Sequence, residues 1–360
     1  MNTQKNNPTI TISLVNYNGI GTIAEALRSI FSLKWPDMEL LIVDQGSSDG
    51  SLDLIKKFIN ENNFNGAVSL TENKINTGFS GGHNESFRRS RGEFIFCCNP
   101  DLVFESDFLG KAMPFFNTEE NIGALQFKLL RFDFKKSNPH IRNGKNIIDT
   151  TGLLILKNRR IVNRGQGEED MGQYGESQEV FGADGAAPIY RKATLEDVKI
   201  PIFEEGNIKG GKFEYFDEDF LAYKEDVDLA WRMRLNGWKT LYVPDVVVYH
   251  GRGSGESAAI SYIGIIKERR KISHVAKKLA FRNQRMMQIK NEQSAVFFRH
   301  FFRFLLKEIL AWCYVLVFET GIFIDTAGEL IQKTPKMIKK RKYIMAHKKS
   351  NINAMRKWFK

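Results

Sequence analysis

The chain has 360 residues, of which 42% are hydrophobic, and it carries a net charge of +11. This length and composition suit one large or two ordinary domains with a substantial core. Three cysteines, two of them adjacent, exclude a disulfide framework and favour a reducing compartment. The polar first eight residues show no secretory signal, so we expect a protein of the cytosol or of the cytosolic face of its membrane.

Charge is distributed unevenly along the chain. Residues 1–260 contain 30 Lys and Arg against 36 Asp and Glu, a net of −6, whereas residues 261–360 contain 23 against 6, a net of +17. By charge, the first part is therefore not a nucleic-acid-binding surface. The last hundred residues favour an anionic partner, either a membrane or a nucleic acid. The shift also predicts a domain boundary near residue 260.

Strands and helices alternate over the first hundred residues. Alternating or short continuous apolar runs predict four strands, over 9–16, 40–43, 68–70 and 94–98. Apolar residues at helical spacing predict helices over 22–31 and from residue 51. This order is typical of an open, mainly parallel α/β sheet.

The fourth predicted strand ends in Asn99-Pro100-Asp101. Pro100 has no N–H to donate and favours extended geometry at Asn99, so Asp101 follows the carboxyl end of the strand directly. Ligands of open α/β sheets bind at that end, and a carboxylate there can hold a divalent cation against a diphosphate. The same three residues suit a simple turn equally well.

Two nucleotide-binding classes are disfavoured by the loop after the first strand. That loop begins Asn16-Tyr17-Asn18-Gly19 and lacks the Gly-x-Gly-x-x-Gly pattern of a dinucleotide-binding domain. No Walker A sequence is present either. A nucleotide bound at this edge of the sheet would therefore be held by residues other than these two motifs.

The middle of the chain is less regular. We expect a helix over 108–116, a strand over 122–130, and loops with at least one hairpin over the polar residues 131–180. Asp184 lies in the small, flexible segment 181–187, where a substrate can approach the backbone. Its carboxylate either orients an acceptor hydroxyl or makes a turn.

A stretch rich in acidic residues, 216–226, precedes a predicted helix over 227–236, which ends at Gly237. Asp226 falls at the expected N-cap, where its carboxylate can accept backbone N–H bonds. Facing a cleft, the same carboxylate could serve as a general base. Glu225, Asp226 and Asp228 cannot all lie on one helix face.

His250 ends the last strand of this part of the chain. We expect one strand up to Val243, a break at Pro244 and a second strand over 246–249. A histidine at a strand end, followed by a Gly-rich loop, is a plausible metal ligand or phosphate-side group. A lone histidine is usually neither.

Taken together, six motifs stand in the order found in family 2 glycosyltransferases. They are Asn16-Tyr17-Asn18, Asp44 with the segment 46–51, the segment 76–82, Asn99-Pro100-Asp101, the segment 225–229 and Tyr249-His250. Over roughly residues 9–255 the chain resembles this family, most closely its bacterial rhamnosyltransferase-type members. The resemblance implies a GT-A fold, which is an α/β, Rossmann-like fold with a mainly parallel mixed sheet. It also implies a nucleotide-diphosphate sugar donor, Mg²⁺ or Mn²⁺, and inversion at the anomeric carbon.

The resemblance also implies roles for individual residues. Asp226 matches the catalytic base, and Asp101 and His250 match metal-binding positions. Asn99 replaces the first acid of the Asp-x-Asp motif, so the metal would depend more on Asp101 and on phosphate oxygens. His83 stands where relatives usually carry Asn and receives no role. The expected donor nucleotide-binding residues are Asn16, Tyr17, Asp44, Asn76 and Asn99. Asp184 and Glu225 are candidates for the acceptor side.

The last hundred residues lie largely outside the resemblance. Residues 309–324 are mostly apolar but include Glu319, and they are shorter than the roughly 20 residues of a spanning helix. An interfacial helix, a helix packed on the catalytic domain and a membrane span are all open. Residues 333–360 carry eleven Lys and Arg and no acids, which is typical of a membrane-binding segment or of a disordered basic tail.

The sequence thus predicts a catalytic domain over 1–260 and a basic, helical, membrane-associating extension over 261–360. The expected enzyme is cytoplasmic and peripheral on the inner face of the cell membrane, with no nucleic-acid partner. It would move a rhamnose-type or other hexose to a lipid-linked or growing surface-polysaccharide acceptor.

Two alternatives remain open. A sugar-nucleotide nucleotidyltransferase shares a similar sheet but needs a Gly-rich first turn with Arg and Lys, which this chain lacks. A non-catalytic carbohydrate-binding relative is disfavoured by the intact Asp101, Asp226 and His250.

Overall fold

The computed structural model describes residues 9–135, 145–204, 207–251 and 262–360. Within these ranges the strands are β1 (Ile10–Asn16), β2 (Met38–Asp44), β3 (Ala67–Glu72), β4 (Phe94–Cys98), β5 (Leu102–Phe104), β6 (Ile122–Arg131), β7 (Ile148–Thr150), β8 (Leu153–Ile155), β9 (Ile161–Asn163), β10 (Gln178–Val180), β11 (Ile189–Arg191), β12 (Ile200–Glu204), β13 (Asn207–Glu214) and β14 (Lys239–His250).

The helices in the same ranges are α1 (Ile23–Phe31), α2 (Ser51–Glu61), α3 (Gly78–Arg89), α4 (Phe108–Ala112), α5 (Lys192–Val198), α6 (Glu225–Leu235), α7 (Tyr262–Arg269), α8 (His274–Asn291), α9 (Ser294–Arg299), α10 (Phe301–Phe318), α11 (Thr320–His347) and α12 (Ile352–Arg356). Two short 3₁₀ segments cover Met113–Asn117 and Glu218–Phe220. The predicted helix over 108–116 therefore divides at Pro114, which lacks the N–H that an α-helix would need there.

A mixed sheet forms the centre of the molecule. Among the described residues its strand order is β10-β14-β6-β11-β4-β1-β2-β3, with β5 paired to β14 and β7 to β6. β1 to β4 pair in parallel, as do β6 and β14, and β11 joins the two groups by running antiparallel to both β4 and β6. Six strands of the main order therefore point the same way. The prediction of a mainly parallel α/β sheet is confirmed.

β4 is buried on both faces, as its continuous apolar run predicts. Phe96 and Cys98 belong to one hydrophobic cluster, whereas Ile95 and Cys97 belong to another on the opposite side of the sheet. Alternate side chains of a strand point to opposite faces, so both sides of β4 are packed. The two cysteines act as small core residues.

The carboxyl ends of the parallel strands meet at one edge. Asn16 of β1 is level with Asp44 of β2, and Leu14 of β1 is level with Cys98 of β4. The segment after β4 therefore emerges beside the ends of β1 and β2. This edge carries most of the candidate site residues.

Two local predictions near the site are wrong. The N-cap of α6 is Lys224, and Asp226 is the second residue of the helix. Pro244 does not end a strand, because β14 runs through it to His250. Its pairing with β6 instead shifts register between Val243 and Val247, and such a bulge accommodates the missing proline N–H.

The C-terminal helices pack on the rest of the fold. α11 lies against α8 and β12, and it buries Met337, Lys340 and Ile344. The chain end is also fixed, because the Lys360 N–H donates to the Ile155 carbonyl oxygen at 3.0 Å. A disordered basic tail over 333–360 is therefore ruled out. None of the described helices is long and apolar enough to cross a membrane.

Candidate active site

Asp101 and His250 lie side by side at the carboxyl edge of the sheet. β5, directly after Asp101, pairs antiparallel with β14, so that Leu102 is level with His250. The Gly251 N–H donates to the Asp101 carbonyl oxygen at 2.9 Å. His250 Nε2 is 3.4 Å from Asp101 Oδ2. Two residues that are 149 positions apart in the sequence are thereby brought into contact.

A buried carboxylate orients the His250 ring. Asp149, in β7, is fully buried and its Oδ2 lies 2.8 Å from His250 Nδ1. Burial alone would lower the pKa of His250, but the carboxylates of Asp101 and Asp149 outweigh it and raise the pKa to about 10. Sequence reasoning missed Asp149, because no motif marks it and only tertiary pairing brings it here.

The Asp101–His250 pair fits a divalent cation. A carboxylate oxygen and an imidazole nitrogen are ordinary ligands for such ions, and a carboxylate on the other ring nitrogen is the usual support of a metal-binding histidine. Binding at Nε2 would require loss of the proton held there. No group of three His, Cys, Asp or Glu side chains among the described residues could hold a metal by itself. Phosphate or water oxygens would therefore complete the coordination.

Asp226 faces the same cavity from the start of α6. Its Oδ2 accepts the Gly185 N–H at 3.2 Å and its Oδ1 accepts the Val227 N–H at 2.8 Å. Burial, reinforced by the nearby Asp184 carboxylate, raises the pKa of Asp226 to about 6. A carboxylate with a pKa near the working pH is suited to accept a proton.

The loop before α6 holds an unusual conformation. Leu221, Tyr223 and Lys224 all have positive φ, between 66° and 74°, which side chains other than glycine rarely adopt. Asn283 of α8 supports this loop, since its Nδ2 lies 2.8–2.9 Å from the carbonyl oxygens of Phe220, Ala222 and Tyr223. A C-terminal helix therefore helps to position Asp226, and nothing in the sequence indicates this role of Asn283.

Two further acidic side chains, those of Glu225 and Asp184, line the cavity together with Asp226. Glu225 is buried, and among the described residues its Oε2 has no hydrogen-bond partner. Burial, together with the Asp226 charge, raises the pKa of Glu225 to about 8. Asp184 makes the turn that was one of its two interpretations, since its Oδ1 accepts the Ala186 N–H at 3.0 Å, and it also borders the cavity. Asp228 points elsewhere, as the helical spacing predicts.

One cavity of about 640 Å³ joins these groups. It lies at the carboxyl edge of the sheet and is closed on one side by the start of α8. Its basic lining residues are Arg160, Lys224, Arg269 and Lys277, none of which the sequence singled out. The predicted site residues that line it are Asn99, Asp101, Asp184, Glu225, Asp226 and His250.

Asn16 and Asp44 lie beside the cavity but are fully buried. Asn16 Nδ2 donates to Asp44 Oδ1 at 2.8 Å, and Asp44 also accepts the Ser47 N–H at 2.9 Å and the Ser47 hydroxyl at 2.6 Å. These bonds shape the loop after β2. Tyr17 is 52% exposed at the neighbouring turn. Their donor-binding roles stay predictions.

That turn stands next to the Asn99–Asp101 segment. A Cβ built at Gly19 would lie 3.5 Å from the Pro100 Cβ and only 2.4 Å from Asn16 Oδ1. A side chain at position 19 would therefore displace Asn16. The close approach keeps the turn against the segment that carries Asp101.

Asn76 is not part of the cavity lining. It is exposed, and its Oδ1 accepts the Gly78 N–H at 2.7 Å where α3 begins. The glycines that follow serve packing, because a Cβ at Gly82 would lie 2.3 Å from the Gln45 side chain and 2.8 Å from Val15. The role of Asn76 in donor binding stays a prediction.

His83 is a core residue of the same helix. Its Nδ1 lies 2.8 Å from the Ser13 hydroxyl, and its ring packs 4.3 Å from that of Phe79. Burial lowers the pKa of His83 to about 3, so it is neutral at physiological pH. This placement agrees with the absence of an assigned role.

Residues 11–196 match the family model described as glycosyl transferase family 2. The match covers more than half of the chain, which therefore belongs to this family. Over 239 residues the chain is 25% identical to the poly-beta-1,6-N-acetyl-D-glucosamine synthase of Staphylococcus epidermidis. The aligned part is 65% of this chain and 48% of that protein, so the chain spans about half the length of the curated relatives it matches.

Two solved structures share the fold. TarS 1–349 of S. aureus in complex with UDP-GlcNAc gives a TM-score of 0.53 at 18% identity, covering 97% of this chain and 89% of that one. GalNAc-T7 with UDP, GalNAc and Mn²⁺ gives a TM-score of 0.50 at 13% identity, covering 86% and 58%. The fold is GT-A, as the resemblance implied. Rhamnosyltransferase-like specificity stays a prediction.

Proposed function

We propose that this chain is a metal-dependent, inverting glycosyltransferase that moves a hexosyl group from a nucleotide-diphosphate sugar to a hydroxyl of a saccharide acceptor. One observation carries the proposal. Asp101, after β4, and His250, at the end of β14, face the same cavity as Asp226 and Glu225 at the start of α6. A leaving-group site and a base site are both needed for a single displacement, and this cavity is large enough for a donor sugar and an acceptor.

The donor diphosphate is assigned to the Asp101 side. A divalent cation held by Asp101 and His250 would neutralise the charge that develops on the departing nucleoside diphosphate. Asn99 lies at the same strand end, and the basic residues Arg269 and Lys277 line the cavity. The nucleoside is assigned to the adjacent region of Asn16, Tyr17 and Asp44.

The acceptor is assigned to the Asp226 side. An alcohol is a poor nucleophile until a positioned carboxylate takes its proton, and Asp226 is the cavity acid with a pKa suited to that step. Attack from the face opposite the diphosphate inverts the anomeric carbon and needs no covalent enzyme intermediate. Protonated Glu225 and the turn at Asp184 are assigned to hydrogen bonds with acceptor hydroxyls.

The relatives narrow the substrates to be tested first. One curated relative is named for poly-N-acetylglucosamine synthesis, and one structure with the same fold was solved with UDP-GlcNAc. UDP-GlcNAc is therefore the first donor to test, and a dTDP-linked rhamnose, which the resemblance to rhamnosyltransferase-type members suggests, is the second. A lipid-linked or growing surface polysaccharide is the proposed acceptor, with the enzyme peripheral on the cytoplasmic face of the membrane and without a nucleic-acid partner. The catalytic domain is assigned to 1–260 and the extension to 261–360.

The test compares Asp101→Ala with Asp107→Ala, a nearby acid that pairs with Lys111 on the surface. We expect Asp101→Ala to abolish sugar transfer and to weaken Mn²⁺-dependent binding of a nucleoside diphosphate in calorimetry, with an unchanged melting temperature. Asp107→Ala should behave like the parent, and EDTA should reproduce the Asp101→Ala result in the parent.

Three outcomes would contradict the proposal. Full activity of Asp101→Ala, or of the parent in EDTA, would remove the metal assignment. Binding of donors without any transfer or donor hydrolysis would favour a non-catalytic carbohydrate-binding relative. Formation of nucleotide sugars from nucleoside triphosphates would favour a nucleotidyltransferase.

A further inference from the structure

The outer face of α10 is apolar. Eight large apolar residues of this helix are exposed to solvent, with exposures from 38% at Leu305 to 82% at Phe302. Seven of them follow the spacing i, i+3, i+4, i+7 of one helix face, and at 100° per residue these seven cover an arc of about 140°. Phe318, the last residue of the helix, lies about 80° outside that arc. The set, called here the α10 stripe, comprises Phe302, Leu305, Leu306, Ile309, Leu310, Leu316, Val317 and Phe318.

The inner face of α10 carries a buried ion pair that holds this helix to α8. Glu308 is buried and pairs with Arg285 of α8 at 2.8 Å. Arg285 in turn lies over the rings of Phe281 and Trp312, 3.5 Å and 4.9 Å from their centroids. Rotating the helix to bury its stripe would break this ion pair and leave buried charges uncompensated. The outward direction of the stripe is therefore fixed by the fold.

This arrangement reverses the usual pattern of a surface helix, which turns its apolar stripe towards the core. A continuous exposed apolar patch made of seven large side chains marks an interaction site. The helix has 18 residues and none of the described helices can span a membrane. A stripe of this width on a helix that lies along a surface is typical of interfacial membrane binding.

Charge distinguishes a lipid surface from a second copy of the chain. Exposed Arg299, the last residue of α9, and exposed Arg303, in the first turn of α10, lie near the N-terminal end of the stripe. Residues 261–360 carry a net charge of +17, which repels an identical surface and attracts anionic headgroups. An apolar cavity of about 500 Å³ also lies beneath α10, between Phe304, Trp312 and the exposed Phe298, and it offers space for an acyl chain.

We propose that the α10 stripe docks on an anionic lipid monolayer, with its axis in the plane of the surface and Arg299 and Arg303 at the headgroups. The basic residues near the chain end contribute less to lipid binding than their number suggests. Lys340 is fully buried and pairs with Glu214 at 2.6 Å and with Asp217 at 2.5 Å. Those charges hold α11 to the fold.

The stripe is connected to the candidate active site through α8. Ala276 and Lys277, near the start of α8, line the site cavity, whereas Arg285 further along the same helix holds α10. Docking of α10 would therefore keep the cavity at a set position relative to the surface. The docking itself is independent of the proposed chemistry and can be measured without it.

Vesicle binding of the full chain tests the stripe. The variant Leu306→Glu with Ile309→Glu is compared with a matched control, Ile75→Glu with Met171→Glu. The control changes two exposed apolar residues and the net charge equally, but away from α10. On vesicles of 30% phosphatidylglycerol in phosphatidylcholine we expect the stripe variant to bind at least tenfold more weakly than the parent and the control within threefold. Leu306→Ser with Ile309→Ser repeats the test should the acidic variant fail to fold.

A native cysteine provides a second, local readout. Cys313 is exposed on the same face of α10 as the stripe, whereas Cys97 and Cys98 are buried. An environment-sensitive dye on Cys313 should shift to the blue with anionic vesicles. The same dye on Asn60→Cys in a Cys313→Ser background should not shift.

Three results would overturn the proposal. One is sedimentation with the vesicles that is as strong for the stripe variant as for the parent. Another is a parent chain that ignores the vesicles. The third is a dimer in analytical ultracentrifugation that the stripe variant abolishes, with no dye shift on vesicles, which would make the stripe an interface between two copies.

Discussion

Two groups of carboxylates lie within 15 residues of each other and have opposite environments. Glu225 and Asp226 line the cavity, and the neighbouring Lys224 does not outweigh the effect of burial on the pKa of either. Asp217 and Asp228 lie close to these residues and are matched by buried cations. Burial raises the pKa of Asp226 to about 6. Burial alone would also raise the pKa of Asp217, but Lys290 and Lys340 outweigh it and hold the pKa well below its usual range.

The cations of this buried ion cluster come from the C-terminal helices. Lys290 of α8 pairs with Asp217 at 2.5 Å and with Asp228 at 2.8 Å. Lys340 of α11 reaches Asp217 from the other side. Asp228 also accepts Arg232 Nε at 3.0 Å. The cluster therefore joins α6 to the extension, directly under the proposed base.

The difference separates two uses of a buried acid. A carboxylate paired with buried lysines keeps its charge and ties elements together, and removing one partner leaves an uncompensated charge. A carboxylate without such a partner keeps a pKa that allows proton transfer. Asp226 and Asp228 are two residues apart on one helix, and they stand in these two different environments.

The strongest test of this contrast is Asp226→Asn. The amide retains the shape of the side chain and an oxygen for the backbone N–H bonds, but it cannot take a proton. We expect turnover to fall by about 10²–10⁴, with a melting temperature close to that of the parent. Turnover should be followed by release of nucleoside diphosphate at saturating acceptor. A drop in melting temperature that matches the loss of activity would instead give Asp226 a structural role.

Asp228→Asn should give the opposite result. The amide cannot balance Arg232 and Lys290, and its N–H₂ group would face one of these donors. We expect the free energy of unfolding to fall by about 3–5 kcal/mol, measured by denaturant titration, while the folded fraction retains most of its turnover. An unchanged stability with lost turnover would place Asp228 in the reaction and would erase the contrast with Asp226.

The sequence was sufficient for the sheet and for many of the residues that line the cavity. The buried run of β4, the Asn99-Pro100-Asp101 break and the helix of Asp226 all follow from local patterns, because strand alternation, proline and helical spacing act over a few residues. The six cavity-lining residues among the ten predicted site residues come from these patterns and from their motifs. Asn16, Asp44 and Asn76 were assigned by motif alone, and the structure places them beside or away from the cavity.

What the sequence could not supply depends on distant contacts. Asp149 reaches His250, and Asn283 reaches the loop before α6, only once the sheet and the C-terminal helices are assembled. The N-cap of α6 was misplaced because Lys224 adopts a positive φ that its side chain does not favour. The basic residues near the chain end were taken together as an exposed segment, yet Lys340 is buried among acids that lie more than 100 residues earlier.

The smallest effect expected from the contrast between Asp226 and Asp217 is on the pH dependence of kcat/KM. Asp226 must be deprotonated to act as the base, and its pKa is raised to about 6. We therefore expect kcat/KM to fall about tenfold for each pH unit below 6. Asp217 has a lowered pKa, so the stability it contributes is complete above an ordinary aspartate pKa of about 4 and is lost only as the pH falls below that value.

Between about pH 4 and 6 the protein should thus lose activity while it stays folded. Activity should return fully on transfer to neutral pH, and circular dichroism should show no unfolding in this range. The residual activity of Asp226→Asn should change little over the same range, because its amide does not titrate. Loss of activity that coincides with unfolding, or an Asp226→Asn profile that falls like that of the parent, would mean that a different group controls the acid limb.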